Sequence, residues 1–118
     1  MMHYGKNYMI NQIPDEWDIW YAAVPFEDTN EIKKRPVLIL DTQDILTVVA
    51  MKLTSKPPRL NEYSLTDLVA AGLLTPTTAR IGKIAKLSRN NLIKKFGSLC
   101  EKDKNAIIQF LIEINACP

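Results

Sequence analysis

The chain has 118 residues and is poor in several residue types on which enzymes commonly rely. Its one histidine, His3, lies in an N-terminal stretch without clear periodicity, which reads as an exposed bystander. Histidine-dependent triads and histidine-ligated metal centres are thereby disfavoured. The two cysteines, Cys100 and Cys117, stand far apart without flanking ligand types. They read as free thiols in a reducing compartment, not as a disulfide framework or a zinc site. The four glycines are not grouped, which excludes a glycine-rich phosphate loop. The longest uninterrupted apolar run, "LVAAGLL", is seven residues, far too short to span a membrane. The first residues, "MMHYGKNYMINQIPDE", lack the basic-then-apolar order of a secretion signal. Together these absences predict a soluble cytoplasmic protein with no membrane partner, no metal and no cofactor. Any catalysis must then use Arg, Lys, Thr, Ser, Asp, Glu or Tyr.

What is present is an ordinary core and an uneven charge. The hydrophobic share of 47% and the length suit one globular domain. Net charge is +2, but residues 1–31 carry −5, residues 32–100 carry +8 and residues 101–118 carry −1. A basic middle between acidic ends suggests an anionic partner, although for charge alone a merely solvated surface is the better reading.

Residues 1–15 read as a loose extension, ended by Pro14 and Asp15, and 16–118 as a single domain. "WDIWYAAVPF" (17–26), "RPVLIL" (35–40) and "ILTVVAMKLTS" (45–55) read as strands, with "EDTNEIKK" a polar loop before the second. The short connections predict antiparallel neighbours. "SKPPRLNEYS" reads as a loop. "SLTDLVAAG" predicts a short helix capped by Ser64 and ended by Gly72. "ARIGKIAKL" (79–87) reads as a strand with a possible bulge at Gly82. Ser88 caps a predicted helix through Lys95, stopped at Gly97. A final helix from Glu101 to Asn115 has a narrow polar stripe, which predicts burial on several sides or a dimer contact. The fold class is mainly β with short helices.

The segment "EIKKRPVLIL" places Lys33, Lys34 and Arg35 directly before a buried strand. In the next strand, period-two alternation puts Val49, Met51 and Leu53 on the core face and Lys52 and Thr54 on the other. Cations and a hydroxyl at neighbouring strand ends can hold a phosphate. On spacing alone, two solvent-facing strand residues are the simpler reading. Arg80, Lys83 and Lys86 make a second basic patch or a solvated sheet edge. Lys94 and Lys95 read as cations in a helix's last turn. Trp17, Trp20, Tyr21 and Phe26 read as core, and Asp18 as structural.

At these residues the sequence resembles the MazF/PemK-type toxins of bacterial toxin–antitoxin pairs, from Trp17 to about Ile112. "WDIW" resembles their opening "GDI" strand, and "KKRPVLIL" their "RRPVLV" signature. "VVAMKLTS" resembles the strand ending in their "TS" pair, and "ARIGKIAKLSRNNLIKKFGSL" their C-terminal block. The resemblance implies an SH3-like antiparallel barrel or sheet with short helices and a C-terminal apolar helix, usually as a homodimer. It implies a metal-independent endoribonuclease that cuts single-stranded RNA such as mRNA at short sequences, neutralised by a cognate antitoxin. It assigns catalysis to Arg35 and Thr54. RNA contacts are expected from Lys33, Lys34, Lys52, Ser55, Lys56, Arg59, Arg80 and Lys83, with the loop Pro25–Lys34 over the groove. Trp17 stands where the family usually has glycine, Cys100 where it often has serine, and the N-terminal extension is longer than is typical. Two alternatives share the superfamily fold: a gyrase-poison type that cuts nothing, and an inactive relative that only binds nucleic acid or its antitoxin.

Overall fold

The computed structural model describes residues 13–25 and 31–116. His3, Phe26, Cys117, residues 1–12 of the expected extension and residues 26–30 of the expected groove loop lie outside the described residues. The strands are β1 (Asp18–Pro25), β2 (Ile32–Asp41), β3 (Thr47–Thr54), β4 (Glu62–Ser64), β5 (Thr78–Ser88) and β6 (Leu92–Ser98). Helix α1 (Leu68–Ala71) links β4 to β5, and helix α2 (Glu101–Ala116) ends the described chain. All strand pairs are antiparallel, in the order β4-β5-β3-β2-β1-β6. The sheet is not closed by a pairing between its two edge strands.

The register places Ile19, Leu38 and Met51 in one row across β1, β2 and β3. With Leu53 and Ile81 they form a core against Ile107 of α2 and Ala71 of α1. The other face is buried too. Trp20, Val37, Ile39, Val48, Ala50 and Leu87, from β1, β2, β3 and β5, make a second core. Strand β3 therefore feeds both cores, with Met51 and Leu53 in the first and Val48 and Ala50 in the second, where alternation predicted one core face. Each fully buried large aliphatic side chain stabilises by about 1.5–3 kcal/mol.

Several elements differ from the sequence reading. Strand β2 begins at Ile32, so Lys33, Lys34 and Arg35 lie inside a strand, paired with Val24, Ala23 and Ala22. Backbone ladder bonds are indifferent to the side-chain charge that suggested a loop. Residues 62–64 form a short edge strand within the expected loop. Asp67, not Ser64, caps α1 by accepting the Ala70 amide at 3.0 Å. Ser88 caps only a 3-10 turn, Arg89–Asn91. The residues expected as helix after it are β6, which fills the free edge of β1. There Phe96 stacks on Tyr21, and Lys95 pairs with buried Asp18 at 3.4 Å. Asp18 also accepts from the Asp15 amide, Trp20 Nε1 and Ser98 Oγ, so it is structural as expected. The register shift expected near Gly82 is present, between Met51 and Leu53 of β3 and the stretch 79–84 of β5. Helix α2 is less covered than predicted: Asp103 and Ile107 are buried, while Ile112 and Ile114 are 55% and 39% exposed.

Two glycines join α1 to β6. Gly72 ends α1 in the left-handed conformation (φ +72°), and a β-carbon there would strike the Phe96 carbonyl. One at Gly97 would strike the Ala70 carbonyl. Trp17 takes the same left-handed region (φ +71°) where glycine is usual. Its amide donates to the Ile39 carbonyl and its carbonyl accepts from Leu99, so β2 and the residues before α2 hold the turn.

Candidate nucleic-acid site

The second core opens at one end into a cleft of about 710 Å³. Its floor comes from sheet residues that point to the same face as that core. Val37 and Val24 belong to both. Val37 pairs with Lys52, so carrying the ladder two residues further sets Arg35 beside Thr54. Thr54 then pairs with Thr78, and Thr78 with Ser64. The catalytic pair that the resemblance implies is thus adjacent across two strands anchored by buried residues, Val37–Ile39 in β2 and Val48, Ala50, Met51 and Leu53 in β3.

All ten expected site residues line this one cleft. Lys33, Lys34 and Arg35 come from β2, and Lys52 and Thr54 from β3. Ser55, Lys56 and Arg59 come from the loop after β3, and Arg80 and Lys83 from β5. Eight of the ten are cations, and among the described lining residues Glu62 is the one carboxylate. Lys86 does not line the cleft, and neither do Lys94, Lys95 or Trp20. Trp20 is core, as its strand position predicted.

Local bonds fix the parts. Arg35 Nη1 donates to the Lys34 carbonyl at 2.9 Å. The Thr54 hydroxyl accepts the Lys56 amide at 3.3 Å, which keeps its own O–H for a ligand. Thr78 Oγ1 donates to the Lys56 carbonyl at 2.8 Å. The loop carrying Ser55 and Lys56 is therefore clamped from β3 and β5. Lys33 pairs with Glu31 at 3.8 Å at the cleft mouth.

Glu62, Thr75 and Thr77 are cleft residues that sequence reasoning missed. The Glu62 side chain is only 12% exposed. Its carboxylate accepts from the Arg59 amide at 3.0 Å and from Arg80 Nε at 3.2 Å. The Arg59 amide, acting against burial and helped by Arg80, holds this carboxyl below the ordinary range. The signal for Glu62 was its pairing opposite Arg80, which is invisible while residues 62–64 are taken for loop. Among the described residues no three His, Cys, Asp or Glu side chains converge as metal ligands. No described helix is long and apolar enough to cross a membrane.

A family model described as "PemK-like, MazF-like toxin of type II toxin-antitoxin system" matches residues 15–114. A search of curated protein sequences finds no match. Among solved structures, the chain is similar to an endoribonuclease in complex with its cognate antitoxin from a mycobacterial species. The TM-score is 0.71 at 17% identity, over 90% of this chain and 98% of that one. It is also similar to the Mycobacterium tuberculosis toxin MazF-mt6, with TM-score 0.66 and 21% identity, over 81% and 93% of the two chains. MazF from Deinococcus radiodurans gives TM-score 0.69 at 14% identity, over 88% and 97%. At these identities the likeness establishes the shared fold.

Proposed function

The chain belongs to the PemK-like, MazF-like toxin family, and on that premise we propose that it is a metal-independent endoribonuclease toxin acting on single-stranded RNA. One observation carries the reading. The arginine and threonine to which the family resemblance assigns catalysis, Arg35 and Thr54, share a single cleft with seven further cations. A cleft so charged suits a phosphate backbone.

In this reading the nucleophile belongs to the substrate. The ribose 2′-hydroxyl attacks the adjacent phosphorus, and the bond from phosphorus to the 5′-oxygen breaks. The products carry a 2′,3′-cyclic phosphate and a 5′-hydroxyl. Negative charge gathers on the phosphoryl oxygens in the transition state. Arg35 meets that charge with its planar fork of donors, and the Thr54 O–H adds one hydrogen bond. Arginine is a poor base near neutrality, so charge stabilisation is its main role. Lys33, Lys34, Lys52, Ser55, Lys56, Arg59 and Lys83 bind the strand to either side.

The partners follow from the same reading. A cognate antitoxin, rich in acidic and apolar residues, covers the basic cleft in the cytoplasm. The protein is a homodimer, supported by the apolar face that α2 leaves exposed. The test is incubation of the purified protein with a long single-stranded RNA in EDTA, with the ends of the products determined. Cyclic phosphate ends support the reading. Cleavage at a site carrying a 2′-deoxy sugar, or no cleavage of any RNA, refutes it.

A further inference from the structure

The Glu62–Arg80 pair stands apart from the other cleft cations. Arg80 Nε donates at 3.2 Å to the Glu62 carboxylate, which is only 12% exposed. The guanidinium carries further N–H donors on its terminal nitrogens. Each carboxylate oxygen accepts one hydrogen bond, from Arg80 Nε or the Arg59 amide, and keeps further acceptor capacity. The charges of Glu62 and Arg80 offset each other, with the Arg59 guanidinium also acting on Glu62, and the pair offers donors and an acceptor side by side. A phosphate gains little there, because the carboxylate repels it. A nucleobase edge gains more, because every base pairs an acceptor with a neighbouring amino or imino donor.

Position supports this. Glu62 pairs with Arg80 across β4 and β5, and β3 and β2 follow in the sheet. From β4 to the strand of Arg35 is three interstrand steps, roughly 14 Å along the sheet. Arg80, on β5, is one step from β3 and Thr54, so it is the Glu62 end of the pair that lies away from the phosphate held by Arg35 and Thr54 and within reach of a flanking nucleotide. The pair is also firmly held. Asn61, just before Glu62, has φ +61°, and the Glu62 amide donates back to the Arg59 carbonyl at 3.1 Å. The turn and the carboxylate thus brace each other.

We propose that Glu62 and Arg80 form a base-reading corner that sets sequence preference at one nucleotide flanking the cut, and that they do not bind phosphate. This rests on the single-stranded RNA reading above but not on the cleavage step. The test is therefore made on binding. Short single-stranded RNAs with a 2′-deoxy sugar at each cut site are varied one position at a time through the four bases. Their affinities are measured for the wild type, Glu62→Gln and Arg80→Gln at several salt concentrations. The wild type should prefer one base at one flanking position. Both variants should lose that preference, by roughly five- to a hundredfold, with preferences elsewhere and the salt slope unchanged. A lost phosphate contact gives a different pattern: uniform weakening across sequences and a slope shallower by about 0.7. That pattern for Arg80→Gln overturns the proposal. So does a wild type without base preference, or a Glu62→Gln variant that keeps it. A wild type that shows the preference in binding but cuts no RNA refutes the nuclease reading alone.

Discussion

At the scale of single residues, the site separates chemistry from stability. Arg35 is exposed, on the part of β2 that precedes its buried residues Val37–Ile39, and its Nη1 donates to the Lys34 carbonyl. Arg35→Ala should lower the RNA cleavage rate roughly 10²–10³-fold, the usual cost of one oxyanion-type donor. Its melting temperature should stay near wild type, because exposed substitutions change stability by only about 0.5 kcal/mol. Stopped time courses with a defined RNA, beside thermal melts, check both halves. A variant that melts early would show that the arginine serves the fold. Cys100 illustrates the reverse case. Its sulfur accepts the Asp103 amide at 3.4 Å, so it caps α2 in the place where serine is usual. A hydroxyl is the stronger acceptor there. Cys100→Ser should stabilise the protein by roughly 0.5–1 kcal/mol, read as a rise of a few degrees in melting temperature with cleavage unchanged. A lower melting temperature would mean that the thiol's packing outweighs the better cap.

At the scale of elements, the tie between α2 and the rest is a buried carboxylate. Asp103 accepts from Tyr63 Oη at 2.6 Å, Thr66 Oγ1 at 2.7 Å, the Thr66 amide at 2.9 Å and the Asp67 amide at 3.2 Å. Burial pushes its carboxyl up, but Tyr63, Thr66 and the two amides together hold it below the ordinary value. The folded protein then binds this proton less readily than the unfolded chain. The stability is present above pH about 4 and is lost as pH falls through the lower folded value. Tyr63 shifts the other way. Burial, then the bond to Asp103 and its charge, push the phenol up to about 12. Its contribution is complete below pH about 10 and is lost as pH rises toward 12. Asp103→Asn should cost more than about 2 kcal/mol at pH 7, because donors lose a charged acceptor. Its stability should also fall less steeply below pH 4 than wild type. Melts across pH 2.5–7 test this, and an unchanged acid limb would contradict it. The elements also show what was legible in the sequence. Strands β1, β2 and β3 announce themselves by aromatic and β-branched runs, and α2 by its length. Arg35 and Thr54 are singled out by the family resemblance, since spacing alone favours ordinary solvent-facing strand residues. Strand β6 was hidden because "SRNNLIKKFG" offers the Ser88 cap, two lysines and a glycine stop, all local signals of a helix. The free edge of β1, which decides the matter, is a tertiary fact. Strand β4 is three residues long and follows two prolines, so nothing local marks it, and Glu62 was lost with it.

At the scale of the molecule, two surfaces remain to be accounted for, one apolar and one charged. The exposed Ile112 and Ile114 of α2 lie beyond the part of the helix that packs on the first core. The homodimer proposed above should appear in sedimentation velocity at micromolar concentration, and Ile112→Lys should shift it toward monomer. A wild type that sediments only as monomer would refute it. The charged surface makes the sharper prediction. Net charge over the whole chain is only +2, yet eight cations and one carboxylate line a single cleft. Attraction for RNA is therefore local to the cleft and does not come from the chain's total charge. A single strand that crosses the roughly 14 Å from β4 to β2 meets about three or four phosphates. Each neutralised phosphate releases counterions, with a slope of about −0.7 per contact on single strands. Raising salt from 50 to 200 mM should then weaken binding of an uncleavable RNA roughly twenty- to fiftyfold. Lys52→Ala should flatten the slope by about 0.7 if that lysine holds a phosphate, while Lys86→Ala, on the same chain but outside the cleft, should leave it unchanged. Titrations of the three proteins at four salt concentrations decide the matter. Equal slopes for wild type and Lys52→Ala, or a shallower slope for Lys86→Ala, would place the RNA somewhere other than this cleft.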